Sequence, residues 1–316
     1  MGFLLSFKYL KPQMNIKLFY ILYFSFFYLS GQTITVNDTA SFNGAKLLEH
    51  VKILSSDLYE GRRTGTQGAE HARKYIINEF YKLDVLKINK TYQQPFSFRY
   101  QGNEYAGVNV IGRIEGATIP NKYIVISAHY DHEGIKNGEI YNGADDNASG
   151  LSALFAIAEY FKMHPPKYSI ILAAFDGEEL GLRGSRYYLN NPVISLKNIK
   201  LNVNLDMISR SDKNELFVVG TSYNKSLKYI ISNIKQPSTL KILAGHDGYD
   251  GLENWTYSSD HANFYKKKIP FLYFGVEDHK DYHEPTDDFE NIQPEFYIEA
   301  VKSIISVLNK IDDSGF

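Results

Sequence analysis

Cysteine is absent from this 316-residue chain. Disulfides, thiolate metal sites, a cysteine nucleophile and a lipid-modified N-terminal cysteine are therefore excluded. Any metal must sit on histidine, aspartate and glutamate. Net charge is nearly absent too. The 34 Lys+Arg stand against 36 Asp+Glu, a formal net charge of −2, so there is no general electrostatic reason to bind nucleic acid or an anionic membrane. Internal repeats and low-complexity linkers are missing, and 44% hydrophobic with 22% charged residues is an ordinary globular composition.

Long hydrophobic runs are scarce. One lies near the N-terminus, Leu18 to Leu29, preceded by Lys8, Lys11 and Lys17 and followed by Ser30-Gly31-Gln32. It is shorter than the roughly 18 residues of a membrane span and matches the core of a signal peptide. Met14-Asn15-Ile16-Lys17 offers a second possible start. The expectation is a signal peptide over residues 1–31 and one catalytic domain over 32–316. The mature protein would then be secreted or periplasmic, with no stable membrane anchor after cleavage. No second apolar run is long enough to cross a bilayer.

The rest of the chain alternates helical and strand patterns. Leu47, Leu48, Val51 and Leu54 recur at helical spacing within 45–58, and Ala72, Ile76, Phe80 and Leu83 within 69–83. Continuous apolar runs at 123–128, 169–175, 201–208 and 270–276 read as strands covered on both faces. Helices are expected over 149–161, 223–234 and 294–308, and further strands over 105–114 and 216–219. This alternation predicts an α/β protein, a three-layer αβα sandwich with a mainly parallel central sheet.

Five short motifs follow predicted strands or fall in loops, where open α/β sheets place ligands. In His129-Tyr130-Asp131 an imidazole can ligate a metal while a nearby carboxylate orients the ring. Asn142-Gly143-Ala144-Asp145-Asp146-Asn147 precedes a helix. Its paired aspartates are either caps or, for one of them, a bridge between two metals. In Asp176-Gly177-Glu178-Glu179 one glutamate can ligate while the other holds a water as general base. Asp206 sits within strand-like sequence, where a buried carboxylate is costly unless paired or metal-bound. In Asp281-Tyr282-His283 the imidazole can ligate and the phenol can donate to an oxyanion.

Taken in order, these motifs resemble the co-catalytic di-zinc exopeptidases: aminopeptidase Y, the bacterial leucyl aminopeptidases and glutamate carboxypeptidase. The resemblance runs from about Leu47 to Leu308 and includes Ser56-Asp57-Leu58-Tyr59-Glu60-Gly61-Arg62-Arg63. It implies the zinc-exopeptidase (phosphorylase/hydrolase-like) fold and two zinc ions, although the ligand types also suit other divalent metals. His129 and Asp206 would hold one zinc, Glu179 and His283 the other, with Asp146 bridging and Asp145 in the turn beside it. Asp131 would orient His129, and Glu178 would act as general base. Tyr282 would polarise the carbonyl, and His261 would stand in or behind the substrate pocket. Peptides with a free N-terminus would be the substrates. Competing readings are a single-zinc glutaminyl cyclase, a carboxypeptidase or dipeptidase, and a non-catalytic receptor of the same superfamily. His50, His71, His132, His164, His246 and His279 are read as surface or packing residues, and Arg62, Arg183 and Arg186 as surface-paired cations.

Overall fold

The computed structural model describes residues 42–315. The expected signal peptide and the first ten residues of the expected domain lie outside them. In chain order the helices are α1 (Gly44–Leu54), α2 (Gln67–Lys82), α3 (Gly150–Met163), α4 (Arg183–Asn190), α5 (Lys225–Ser232), α6 (His261–Lys266) and α7 (Pro294–Ser314). The strands are β1 (Leu86–Lys87), β2 (Gln93–Tyr100), β3 (Asn103–Ile114), β4 (Ile119–His129), β5 (Gly134–Lys136), β6 (Glu139–Tyr141), β7 (Tyr168–Phe175), β8 (Ile199–Leu205), β9 (Glu215–Val219), β10 (Lys241–Ala244) and β11 (Phe271–Gly275). None of the described helices is long and apolar enough to cross a membrane.

Nine strands form one mixed sheet in the order β1-β3-β7-β4-β8-β11-β9-β10, with β2 paired to β3. Its middle, β7-β4-β8-β11, is parallel, as expected. On either side the direction reverses, β3 running against β7 and β9 against β11. A parallel return normally needs a crossover helix, and the short segment between β3 and β4 has none. The β2–β3 hairpin was not visible as a strand pair in the sequence. Gln101 and Gly102 both have positive φ in its two-residue turn, the backbone that matches strand twist in tight hairpins.

Both faces of the middle strands are buried, which explains their unbroken apolar runs. Ile124, Ile126, Ile170 and Leu172 join the core under α1, α2, α3 and α7. Val125, Ile171, Ala173 and Phe175 point the other way and pack with Tyr188 of α4 and Phe264 of α6. The period-2 alternation of a strand thus feeds two apolar layers at once. Because β4, β7, β8 and β11 are parallel neighbours, their C-terminal ends share one edge. The loops that leave it carry every one of the five motifs except the Asp145-Asp146 turn, which leads into α3 at the same edge.

Candidate metal centre

Asp146 is the hinge of the site. Its Oδ1 lies 3.3 Å from His129 Nε2, and that nitrogen is 3.2 Å from Asp206 Oδ1. Its Oδ2 lies 3.1 Å from His283 Nε2, which is 3.4 Å from Glu179 Oε2. One carboxylate therefore faces two donor groups. His129, Asp146 and Asp206 have ligand atoms within 4.8 Å of one another, and so do His132, Asp146 and Glu179, and Glu133, Glu179 and His283. The sequence-expected set of five is thus brought together.

Backbone geometry holds the hinge in place. Gly143 has φ +59°, and a Cβ there would lie 2.1 Å from the Asp146 carbonyl oxygen, so only glycine fits. The Asp146–Asn147 peptide is cis. Asp287 accepts hydrogen bonds from the backbone N–H of Asp145 (3.0 Å) and Asp146 (2.9 Å). Asp145 turns away from the donor groups. Its Oδ1 accepts from the Ser209 N–H and hydroxyl, both at 2.7 Å, and its Oδ2 meets His279 Nε2 at 3.0 Å. The Arg210 guanidinium donates to Asp281, and Thr286 Oγ1 donates to the same carboxylate at 2.6 Å. The loops carrying Asp146, Asp206 and His283 are thereby tied to one another.

Several expectations need correction. Asp206 lies one residue past the end of β8, not within a strand, and it is buried at the sheet edge. His129 Nδ1 faces the Asp131 backbone carbonyl at 3.0 Å, whereas the nearest Asp131 carboxylate oxygen is 3.9 Å away. The carboxylate is occupied elsewhere, accepting from the N–H groups of Glu178 (3.1 Å) and Glu179 (3.3 Å). Asp131 therefore links the histidine loop to the glutamate loop. His132 is buried inside the cluster, with Nδ1 2.8 Å from Glu179 Oε1, and does not lie at the surface. Its place three residues after His129 was the available signal. Arg62 is fully buried, and its guanidinium donates to the carbonyls of Leu54, Tyr130, Asn142 and Gly143. Arg183 lies over the rings of Phe98 and Tyr100, 5.4 and 5.8 Å from their centroids.

Glu178, Glu179, Tyr282 and His283 line a cavity of about 440 Å³ together with His129, Asp146 and Asp206. The Tyr282 ring stacks on His283 with centroids 4.0 Å apart. Tyr273, unremarked in the sequence, lines the same cavity, and its hydroxyl points at the Asp206 carbonyl, 3.4 Å away. His261 does not line the cavity. It stacks on Tyr273 (4.5 Å) and bonds through Nε2 to the Trp255 carbonyl (2.8 Å), so it supports two wall residues from behind.

The electrostatics distinguish the two adjacent glutamates. Burial raises the Glu178 carboxyl well above its usual range; His129 opposes this, but Glu179 and Asp206 add to it. Burial and Asp146 push Glu179 the same way, yet its bonds to His132 and His283 prevail and bring it down to about 2. Burial disfavours charge on His283, but Asp146 and Glu179 outweigh it and raise the imidazolium to about 11. Burial likewise acts against His129, and Asp206, Glu178 and Asp146 hold it well above the ordinary value. Carboxylates this crowded require positive charge among them, and imidazole nitrogens with carboxylate oxygens are the donors a zinc ion takes. The residues present fit that metal.

The sequence profile of Peptidase family M28 matches residues 109–308. Aminopeptidase YwaD of Bacillus subtilis (strain 168) is 31% identical over 201 residues, which is 59% of this chain and 41% of that protein. The alkaline phosphatase isozyme conversion protein of Escherichia coli (strain K12) is 29% identical over 168 residues, 49% of each chain. The chain thus matches less than half the length of either relative. BSAP, a zinc aminopeptidase from Bacillus subtilis, superposes with a TM-score of 0.68 at 17% identity, covering 86% of this chain and 96% of that one. At that identity the likeness is one of fold.

Proposed function

The chain belongs to Peptidase family M28, and from that premise we propose that it is a zinc-dependent aminopeptidase. In this reading a signal peptide over residues 1–31 directs export, and residues 32–316 form one peptidase domain. The observation that carries the proposal is Asp146, with one carboxylate oxygen turned to each of two donor groups. In this reading His129 and Asp206 would hold one zinc and Glu179 and His283 a second, and Asp146 would serve both.

When bound, the metal supplies Lewis-acid polarisation of the scissile carbonyl and an acidified water. Glu178 lines the cavity beside these residues. A Glu178 carboxylate oxygen takes a proton from the attacking water and returns it to the leaving amine. Its raised pKa suits a group that must act as base and then as acid. The Tyr282 hydroxyl would donate a hydrogen bond to the oxygen of the scissile carbonyl as charge develops there, keeping its proton. Asp131 sets the spacing of His129 and Glu178, since it touches both of their loops. His132 keeps the Glu179 carboxylate turned toward Asp146. A cavity this rich in carboxylates suits a protonated substrate amino group, which favours an exopeptidase acting at a free N-terminus.

The test is mass spectrometry of three peptides incubated with zinc-loaded protein: one with a free leucine N-terminus, its N-acetylated twin, and one beginning with glutamine. Stepwise loss of the first residue from the free peptide alone is the expected result. Loss of ammonia from the glutamine peptide, without shortening of the leucine peptide, would move the assignment to a glutaminyl cyclase.

A further inference from the structure

Arg183, the first residue of α4, is a cation without a counter-ion, not the surface-paired residue its sequence suggested. It makes no ion pair among the described residues, and the one hydrogen bond of its guanidinium runs from Nε to the Leu180 carbonyl at 2.7 Å. The rings of Phe98 and Tyr100 attract the same group, with centroids 5.4 and 5.8 Å away. Rings hold a cation in place but offer it no oxygen acceptor. Both Nη groups are left as free donors on an anchored fork. A planar fork of that kind takes a carboxylate through two parallel hydrogen bonds.

This fork stands at the edge of the metal-centre cavity. Tyr100 and Gly181 both line the cavity. Gly181 has φ +97°, and a Cβ there would meet the Arg183 guanidinium, 3.6 Å from Nε and from Nη2. Arg186, likewise without an ion pair among the described residues, donates to the Gly181 carbonyl at 3.4 Å. Two arginines thus converge on one wall residue. Gly181 follows Glu179 by two residues, so their Cα atoms are at most about 7.6 Å apart, roughly the reach of a dipeptide. The lining itself is rich in carboxylates and holds no lysine or arginine. A substrate lying across the cavity, its amino group toward the carboxylates, meets a guanidinium only at the Gly181 edge.

We propose that Arg183 is a specificity-determining residue that binds a carboxylate on the leaving part of the substrate, one residue past the scissile bond. Two groups can present that carboxylate: the C-terminus of a dipeptide, or the side chain of an acidic second residue. This rests on the aminopeptidase reading above.

The test compares kcat/KM within two pairs of peptides on zinc-loaded protein. Leu-Ala against Leu-Ala amide isolates the C-terminal carboxylate, and Leu-Glu amide against Leu-Gln amide isolates the side chain. Wild type is expected to favour the carboxylate-bearing member of one pair or both by about tenfold or more, the size of one charge-assisted contact. The pair that responds names the source. Arg183→Gln is expected to bring that ratio down toward unity, chiefly through KM. Arg183→Lys should restore only part of it, because an ammonium lacks the planar fork. Arg183→Glu should favour Leu-Lys amide over Leu-Glu amide. Wild-type protein with no preference within either pair would overturn the proposal. So would an equal loss on both members of a pair in Arg183→Gln, which would leave Arg183 only a packing role against Phe98 and Tyr100. If no peptide is shortened, the aminopeptidase reading itself falls, a result distinct from both.

Discussion

Glu178 and Glu179 are consecutive, yet their carboxylates have opposite electrostatic fates. Glu179 is held down by two imidazoles, and Glu178 is held up by burial and by Glu179 itself. Their substitutions should therefore separate. Glu178→Gln is expected to lower kcat by about 10²–10⁴-fold, the usual size of a general acid–base contribution, while zinc content by elemental analysis stays at the wild-type level. Glu179→Gln is expected to lower zinc content as well, because it removes an anionic donor from the group. Equal zinc loss in both variants would refute the division of roles. At this scale the sequence carried the types of the donor residues but not every neighbour. His132 was passed over because an imidazole in a loop has no periodicity to place it. Its bond to Glu179 exists because the chain turns after β4.

Arg62 shows what short elements contribute. It ends the 3₁₀ turn after α1 and reaches carbonyls on three separate segments: the end of α1, the start of the His129 loop, and the Asn142-Gly143 turn that leads to Asp146. A guanidinium is the side chain whose planar fork can serve four acceptors. Arg62→Leu would leave those buried carbonyls unsatisfied and is expected to destabilise the fold by on the order of 3 kcal/mol or more, measured by urea unfolding. Arg62→Lys should recover only part of this, since an ammonium has three donors. Unchanged stability in Arg62→Leu would show that water replaces the guanidinium. Helix and strand boundaries in the sequence came within a few residues where apolar spacing was strong, as in α2 and β7. The β2–β3 hairpin and α4 were not read, because their buried positions depend on partners that are distant in sequence.

Across the whole molecule, the parallel middle of the sheet gathers four loop ends at one edge, and the crowded carboxylates there make stability depend on metal and pH. His283 at about 11 lies above its usual 6.5, so its ion pair with Glu179 contributes fully below about pH 6.5 and is lost as pH rises through about 11. Glu179 at about 2 lies below its usual 4.5, so the same pair contributes fully above about pH 4.5 and is lost as pH falls through about 2. Chelator-treated protein should therefore melt highest between about pH 4.5 and 6.5, as far as this pair governs it. Zinc needs deprotonated imidazole, so zinc should raise Tm most above that window and release protons on binding. Melts with and without chelator across pH, and calorimetry in two buffers of different ionisation enthalpy, check both points. A zinc effect on Tm that does not grow with pH would contradict the assignment of His283 and His129 as ligands.

By itself, the sequence determined that any metal would sit on oxygen and nitrogen, that buried strands alternate with helices, and which acids and imidazoles stand at strand ends. Those properties are local: composition, period and the cost of a charge in an apolar run. The tertiary structure decided which way each carboxylate turns. The Asp131 carboxylate serves the Glu178 and Glu179 backbone while its carbonyl meets the His129 ring, and Asp145 binds Ser209 and His279 while Asp146 faces both donor groups. Each of these depends on which loops the strand order places side by side. That order is set by burying both faces of one sheet, a requirement of the whole chain that no single motif records.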